Sequence, residues 1–112
     1  MVLYPAGIAS VCSGAEVKLS CTITGRIIEW IVTQHNEIIV ARPLSANSGT
    51  SHFHTNNITF TFSSGTSLYL LSISPADSIL NGTEVSCVDG EEDTSSSTVI
   101  TILNEDNFMS RL

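Results

Sequence analysis

Histidines and acidic residues are the side chains whose spacing in this sequence comes nearest to that of a metal site. His52 and His54 fall on the same side of an extended segment, and His35 is the third histidine. A zinc site needs three or four ligands, and no cysteine or acid stands at a matching spacing, so solvated histidines are the simpler interpretation. The acidic segment 89–93 could hold calcium or meet a basic partner. It lacks the alternating acid spacing of a calcium loop, however, and is more typical of a flexible solvated loop.

No arrangement of residues typical of a catalytic site is present. Serines are abundant, but none stands in a Gly-x-Ser-x-Gly motif or beside a histidine and an acid in a recognisable order. We therefore predict that the protein is not an enzyme and that it uses no cofactor and no metal ion.

Two short motifs, Asn57-Ile58-Thr59 and Asn81-Gly82-Thr83, match the Asn-x-Thr acceptor of N-linked glycans. One such motif could arise by chance. The presence of two favours a secreted or cell-surface protein, and we predict glycosylation at Asn57 and Asn81.

Length and charge limit the classes of partner. The 112 residues fit a single domain. With 11 acidic against 4 basic residues the net charge is −7, which argues against nucleic acid and against an anionic membrane surface as partners. Met1 is not followed by the basic and apolar regions of a signal peptide, and no apolar run is long enough to span a bilayer. We expect the native leader and any membrane anchor to lie outside this sequence.

The elements that must position these side chains are β-strands, because apolar and polar residues alternate along much of the chain. In residues 16–23 the apolar side chains, including Cys21, share one face. Residues 28–32 repeat the pattern with Trp30 on the inward face, and residues 84–88 form a third alternating run around Cys87.

A strand cysteine, a strand tryptophan and a second strand cysteine, in that order, resemble the immunoglobulin superfamily. The resemblance covers roughly residues 6–103. It implies an all-β, two-sheet antiparallel sandwich with Greek-key connections, of the variable type with a C′ strand. It also implies an inter-sheet disulfide between Cys21 and Cys87 packed against Trp30, and hence an oxidising, extracellular location. By elimination, Cys12 is then an unpaired thiol or is paired outside this chain.

The remaining segments fit the same pattern. We predict that the Ig-like domain covers residues 1–104 and that residues 105–112 are a linker or tail. Within the domain we predict a C′ strand at residues 38–41, stopped by Pro43, and a D–E hairpin formed by residues 58–62 and 69–73. We also predict one helical turn between strands E and F at residues 75–80 and a last strand at residues 98–103.

Two features depart from the variable-type members of the family. Val85 stands where a tyrosine usually ties down the corner between strands E and F, so we expect the turn around Asp77 and Asn81 to hold that corner. The closing strand also lacks the glycine bulge of antigen-receptor joining segments. Segments 11–14 and 80–87 look like Ig repeats of invertebrate surface receptors.

The resemblance implies an extracellular binding module of a cell-surface adhesion or recognition receptor, self/non-self recognition included. We expect it to bind a protein through the face formed by strands G, F, C and C′, with Ile31, Val88 and one of Ile100 or Ile102 pointing outward. The partner is either a second copy of the domain or another protein. The alternatives are a spacer module of a larger ectodomain, receptor kinases included, and a secreted immune-type binding protein.

Overall fold

The alternating segments of the sequence form ten β-strands. The structure is a computed structural model that describes residues 1–103, so the predicted tail at 105–112 lies outside the described residues. The strands are β1 Val2–Tyr4, β2 Gly7–Cys12, β3 Val17–Thr22, β4 Ile27–Gln34, β5 Glu37–Ser45, β6 Gly49–Thr55, β7 Ile58–Ser64, β8 Leu68–Ser74, β9 Glu84–Asp89 and β10 Ser95–Leu103, with a 3-10 helix at Ser78–Leu80.

The strands build two five-stranded sheets that pack face to face. Sheet I has the order β1-β3-β8-β7-β6, and sheet II has the order β2-β10-β9-β4-β5. The neighbouring strands are antiparallel except for β2 and β10, which run parallel with Gly7 opposite Thr98. The chain crosses from sheet I to sheet II between β1 and β2, where Gly7 has a φ of 77° that a residue without a side chain tolerates best. The predicted all-β, immunoglobulin-like sandwich is confirmed, with β10, β9, β4 and β5 as strands G, F, C and C′.

The core lies between the sheets around the disulfide that joins Cys21 on β3 to Cys87 on β9. Trp30 stands opposite Cys87 in the β4–β9 ladder, and Tyr69 stands opposite Cys21 in the β3–β8 ladder. All four side chains are fully buried. Burying a large apolar side chain contributes about 1.5–3 kcal/mol, so the cluster supplies a substantial part of the folding free energy. The predicted pairing of the cysteines and the inward direction of Trp30 are confirmed.

The strand that contains Pro43 is longer than predicted. β5 continues through Pro43 to Ser45, so the expectation that proline stops this strand is wrong. β5 is the edge strand of sheet II, where a missing N–H on the open side removes no ladder hydrogen bond. After a short turn at residues 46–48 the seven-residue strand β6 begins at Gly49.

The corner between β8 and β9 is held by two short polar side chains, as expected. The Asp77 carboxylate accepts a hydrogen bond from the backbone N–H of Ile79 at 3.1 Å and so caps the 3-10 helix. The Asn81 side-chain oxygen accepts a hydrogen bond from the backbone N–H of Ile102 at 2.9 Å, which ties the corner to β10. Val85 is buried in the core. The corner therefore needs no tyrosine.

The connections cluster at two opposite ends of the sandwich. We call the end with the connections 23–26, 46–48, 65–67 and 90–94 the upper end, because backbone hydrogen bonds join these loops, as from Ala46 to Arg26 and from Gly90 to Ile27. The lower end contains the turns 13–16, 35–36 and 56–57 and the 3-10 helix. Within residues 1–103 there is no helix long and apolar enough to cross a membrane.

Replacing both Cys21 and Cys87 by alanine is expected to lower the free energy of unfolding by about 2–5 kcal/mol, because the disulfide closes a long loop in the unfolded chain. Guanidinium unfolding of the variant and the parent measures the difference. Cys12→Ser is the matched control and is expected to leave the unfolding curve unchanged, because Cys12 is exposed and unpaired. Recovery of a Cys12–Cys21 peptide under non-reducing digestion would contradict the assignment.

Candidate binding surface

The outer face of sheet II follows from the inward direction of Trp30 and Cys87. Their neighbours Ile31 and Val88 point the opposite way and are half-buried. In the β4–β9 ladder Ile31 is opposite Ser86 and Val88 is opposite Glu29, so the two apolar side chains are diagonal neighbours on adjacent strands. The structure thus places Ile31 and Val88 on the outer face, as the sequence predicts.

The prediction that Ile100 or Ile102 joins this face is wrong. Both side chains point into the core, where they are 0% and 7% exposed. Their neighbour Val99 points outward instead, and it lies opposite the exposed Ile8 of β2. Ile8 and Val99 therefore form a second apolar pair on the outer face, which sequence reasoning missed because nothing in the sequence indicates the parallel pairing of β2 with β10.

Small and apolar side chains widen the patch around Ile31. Ala41 on β5 is opposite Ile31, and Pro43 is opposite Glu29; both are exposed. On the other side polar hydroxyl groups form the border, where the side-chain oxygens of Ser86 and Ser97 lie 2.7 Å apart. We call the outer face of sheet II the binding surface; its members are Ile8, Ile31, Ala41, Pro43, Val88 and Val99.

The charges at the binding surface are acidic. Glu29 lies within it, opposite Val88 and Pro43, and Glu84 lies at the lower end of β9, opposite Thr33 and Val99. The only basic residue in the described strands of sheet II is Arg42, whose guanidinium carbon lies 5.2 Å from the centre of the Phe62 ring, on the inner side of the sheet. A partner that docks on the outer face therefore meets an apolar centre and uncompensated carboxylates.

The histidines are not part of this surface. His52 and His54 lie on β6 in sheet I, where each Nδ1 is in hydrogen-bond range of a threonine hydroxyl, Thr61 at 3.1 Å and Thr59 at 3.0 Å. The two rings are nearly parallel with centroids 6.3 Å apart, so they do not converge on one point as two ligands of one zinc ion must. His35 lies in the turn between β4 and β5. Residues 1–103 contain no group of three or more potential ligands that could hold a metal ion.

The acidic segment 89–93 divides into one buried and three exposed side chains. Asp89 is 2% exposed, and its Oδ1 accepts hydrogen bonds from the backbone N–H groups of Glu91 at 2.8 Å and Glu92 at 3.2 Å. Its carboxylate lies so close to Gly25 that a side chain at Gly25 would have its Cβ 3.0 Å from Oδ1. The expectation of a wholly solvated loop is thus wrong for Asp89, which shapes the turn between β9 and β10.

Tyr69 lies beneath the upper end with its phenol inside the core. The side chain is fully buried, and its hydroxyl has no hydrogen-bond partner within the described chain. Burial raises the pKa of Tyr69, and the negative charge of Glu91 raises it further. The phenol is therefore a neutral group of the core.

The two glycan acceptors lie at the lower end, away from the upper loops. Asn57 is exposed in the turn between β6 and β7, where Asn56 and Asn57 have φ values of 50° and 63°. Asn81 is exposed beside the 3-10 helix. Cys12, the predicted unpaired thiol, is exposed and unpaired at the lower end of β2.

Asp89→Ala is expected to lower the free energy of unfolding by about 1–3 kcal/mol, because it leaves the N–H groups of the β9–β10 turn without their acceptor. Thermal or guanidinium unfolding measures this loss. Glu92→Ala is the matched control, since only the backbone of Glu92 takes part in the turn, and it is expected to change stability little. Equal effects of the two substitutions would contradict the role assigned to Asp89.

Tyr69→Phe is expected to leave stability near neutral pH unchanged or raise it by up to about 1 kcal/mol, because it removes an unpaired buried hydroxyl. Above about pH 10 the phenol of the unfolded chain loses its proton while the folded protein retains it, so the stability of the parent falls as pH rises. In Tyr69→Phe, the part of this decrease in stability that comes from ionisation of Tyr69 should be absent. Unfolding at about pH 8 and about pH 11 measures it, with the exposed Tyr4→Phe as control. An identical fall in the parent and in Tyr69→Phe would contradict the prediction.

Comparison with known proteins adds no relative to this picture, because no family model matches the chain and no curated protein gives a significant sequence match. The architecture, two β-sheets joined by the Cys21–Cys87 disulfide, is compatible with an immunoglobulin-like domain.

Proposed function

We propose that this chain is a variable-like domain of the immunoglobulin superfamily, from the ectodomain of an invertebrate-type cell-surface adhesion or recognition receptor, and that it binds a protein through the binding surface. The observation that carries the proposal is the set of outward apolar side chains Ile31, Ala41, Pro43 and Val88, which are opposite or diagonal neighbours on strands β4, β5 and β9 of sheet II. Single exposed apolar residues are ordinary, whereas contiguous ones mark interaction surfaces. The disulfide supports an extracellular location, because such bonds persist in oxidising compartments.

The position of the glycan acceptors supports the choice of face. Asn57 belongs to sheet I, and Asn81 is at the lower end. Glycans on these asparagines would extend from the lower end and would leave Ile31, Val88 and Pro43 uncovered. The proposed glycoprotein therefore keeps its binding surface accessible.

Charge favours a different protein over a second copy as the partner at this surface. Two copies docked face to face would bring together Glu29 and Glu84 from both sides, and the described strands of sheet II have no basic side chain on their outer face to pair with them. Like charges held together in an interface are strongly unfavourable. The fitting partner has an apolar patch bordered by lysine or arginine, and a stable complex would cover about 800 Å² on each side.

Ile31→Lys and Val88→Lys are each expected to weaken binding at least about tenfold, because each places a charge in the apolar centre of the contact. A multimerised form of the domain is first screened against a panel of cell-surface ectodomains from the same organism. The dissociation constant of each hit is then measured with the parent and with the two lysine variants. Thr22→Lys, an exposed position on the outer face of sheet I, is the matched control and should bind like the parent.

Salt gives a second measure of the same contact. Binding should weaken as ionic strength rises, because the carboxylates of the binding surface are screened. Hits that bind both lysine variants as tightly as the parent would contradict the proposal. A panel in which no ectodomain binds would favour the spacer function.

A further inference from the structure

Sheet I carries none of the acidic residues of the described chain. Every described Asp and Glu lies on a strand of sheet II or in a connection, although the whole chain has a net charge of −7. Apart from tyrosines, the ionisable side chains on the strands of sheet I are Lys18, His52 and His54. Two copies can therefore approach each other along sheet I without the repulsion between carboxylates that opposes contact at sheet II.

The edge strand β6 of sheet I has an open side that is suited to pairing. All seven residues, Gly49–Thr55, pair with β7 in an unbroken register from Gly49 opposite Ser64 to Thr55 opposite Ile58. On the other side of β6 no strand formed by residues 1–103 is paired with it, so alternate N–H and C=O groups face outward. The strand contains no proline, lysine or acid and no bulge, which are the devices by which proteins usually prevent edge-to-edge pairing.

The other edges differ from β6. β1, the opposite edge of sheet I, has only three residues and ends before Pro5. β5 contains Arg42 and Pro43, and its ladder with β4 has a bulge at Val32/Thr33. β2 contributes Ile8 to the binding surface of sheet II. β6 is thus the longest edge of the described chain that has neither a protective device nor a part in the proposed function.

We propose that β6 is a self-association site, where β6 of a second copy adds antiparallel to β6 of the first and joins the two sheets I into one ten-stranded sheet. Each copy has one such edge, so a two-fold axis closes the assembly at a dimer. An axis near Phe53 would place His52 of one copy beside His54 of the other on the outer face. The contact rests on main-chain hydrogen bonds and a small area, so it belongs to the weak, transient class of interfaces.

The four histidines in this arrangement make the dimer sensitive to pH. Histidine is the side chain that changes charge between about pH 7.5 and 5.5, and like charges directly opposite each other on adjacent strands are destabilising. The groups that face His52 and His54 from β7 and β8 are hydroxyls, Thr61 and Ser72 in one row and Thr59 and Ser74 in the other, and they offer no compensating charge.

The nearest charged groups in the same row do not change this conclusion. Lys18 of β3 is three strand spacings, about 14 Å, from His52 and is itself positive. Glu16, just before β3, accepts a hydrogen bond from the Ser72 hydroxyl on the far side of β7. Protonation would therefore place four uncompensated positive charges beside the two-fold axis.

The test is sedimentation equilibrium of the protein at concentrations up to about 1 mM, at about pH 7.5 and about pH 5.5. A monomer–dimer equilibrium is expected at the higher pH, with a dissociation constant at least about tenfold larger at the lower pH. His52→Gln with His54→Gln should keep the dimer at both pH values. His52→Lys with His54→Lys should abolish it at both. Hydrogen exchange should show slower exchange of β6 amides as the dimer forms.

Matched variants separate this contact from net charge and from the proposed function. Thr22→Lys with Tyr4→Lys adds the same two charges to exposed positions on β3 and β1, at the side of sheet I opposite β6, and should leave the dimer intact. Ile31→Lys on sheet II should also leave it intact, whatever its effect on partner binding. Circular dichroism checks that each variant is folded. A protein that stays monomeric at pH about 7.5, a dimer that survives His52→Lys with His54→Lys, or one that persists unchanged at pH about 5.5 would overturn the proposal.

Discussion

The bond between Cys21 and Cys87 fixes which side of each strand faces the opposite sheet. Side chains alternate along a strand, so once the two sulfurs meet between the sheets, the direction of every other residue on β3 and β9 is determined. Residues opposite each other in a ladder point to the same side of the sheet, so Trp30 on β4, opposite Cys87, and Tyr69 on β8, opposite Cys21, also point inward. A slip of one residue in β4 would expose Trp30 and bury Glu29, which is why the register is strongly specified.

The sequence predicts best those segments in which one period dominates. Around Cys21 the apolar residues occupy alternate positions only, and beside the apolar Ile31 and Val88 the tryptophan and the second cysteine mark the inward side; all three predicted inward faces are correct. In residues 98–103 apolar residues occupy both faces, so the pattern could not decide whether Val99 or Ile100 is buried. That choice depends on the contact of β10 with β9 and on its pairing with β2, which is far away in the chain.

Other differences between sequence and structure also have non-local causes. Proline stops a central strand but not an edge strand, and the edge position of β5 is a property of the whole sheet. Asp89 looks like its exposed acidic neighbours in sequence, yet it is buried beside Gly25, which is far away in the chain, while the N–H groups of its own turn supply its hydrogen-bond partners. Of the two corner residues that the sequence indicated, Asp77 acts locally by capping the turn that follows it, whereas the partner of Asn81 is Ile102 on β10.

The hydrogen bond from the backbone of Ile102 to the side chain of Asn81 affects how glycosylation at Asn81 can be prevented or removed in an experiment. The amide oxygen of Asn81 is held by β10, so a carbohydrate on its nitrogen would grow from a fixed stem rather than from a freely rotating side chain. Exchange of this asparagine to prevent glycosylation would also detach the corner from the last strand. Enzymatic removal of the sugar keeps a hydrogen-bonding side chain at this position and therefore separates the loss of the glycan from the loss of the hydrogen bond to β10. Asn57 lies in an exposed turn and can be exchanged without losing such a bond.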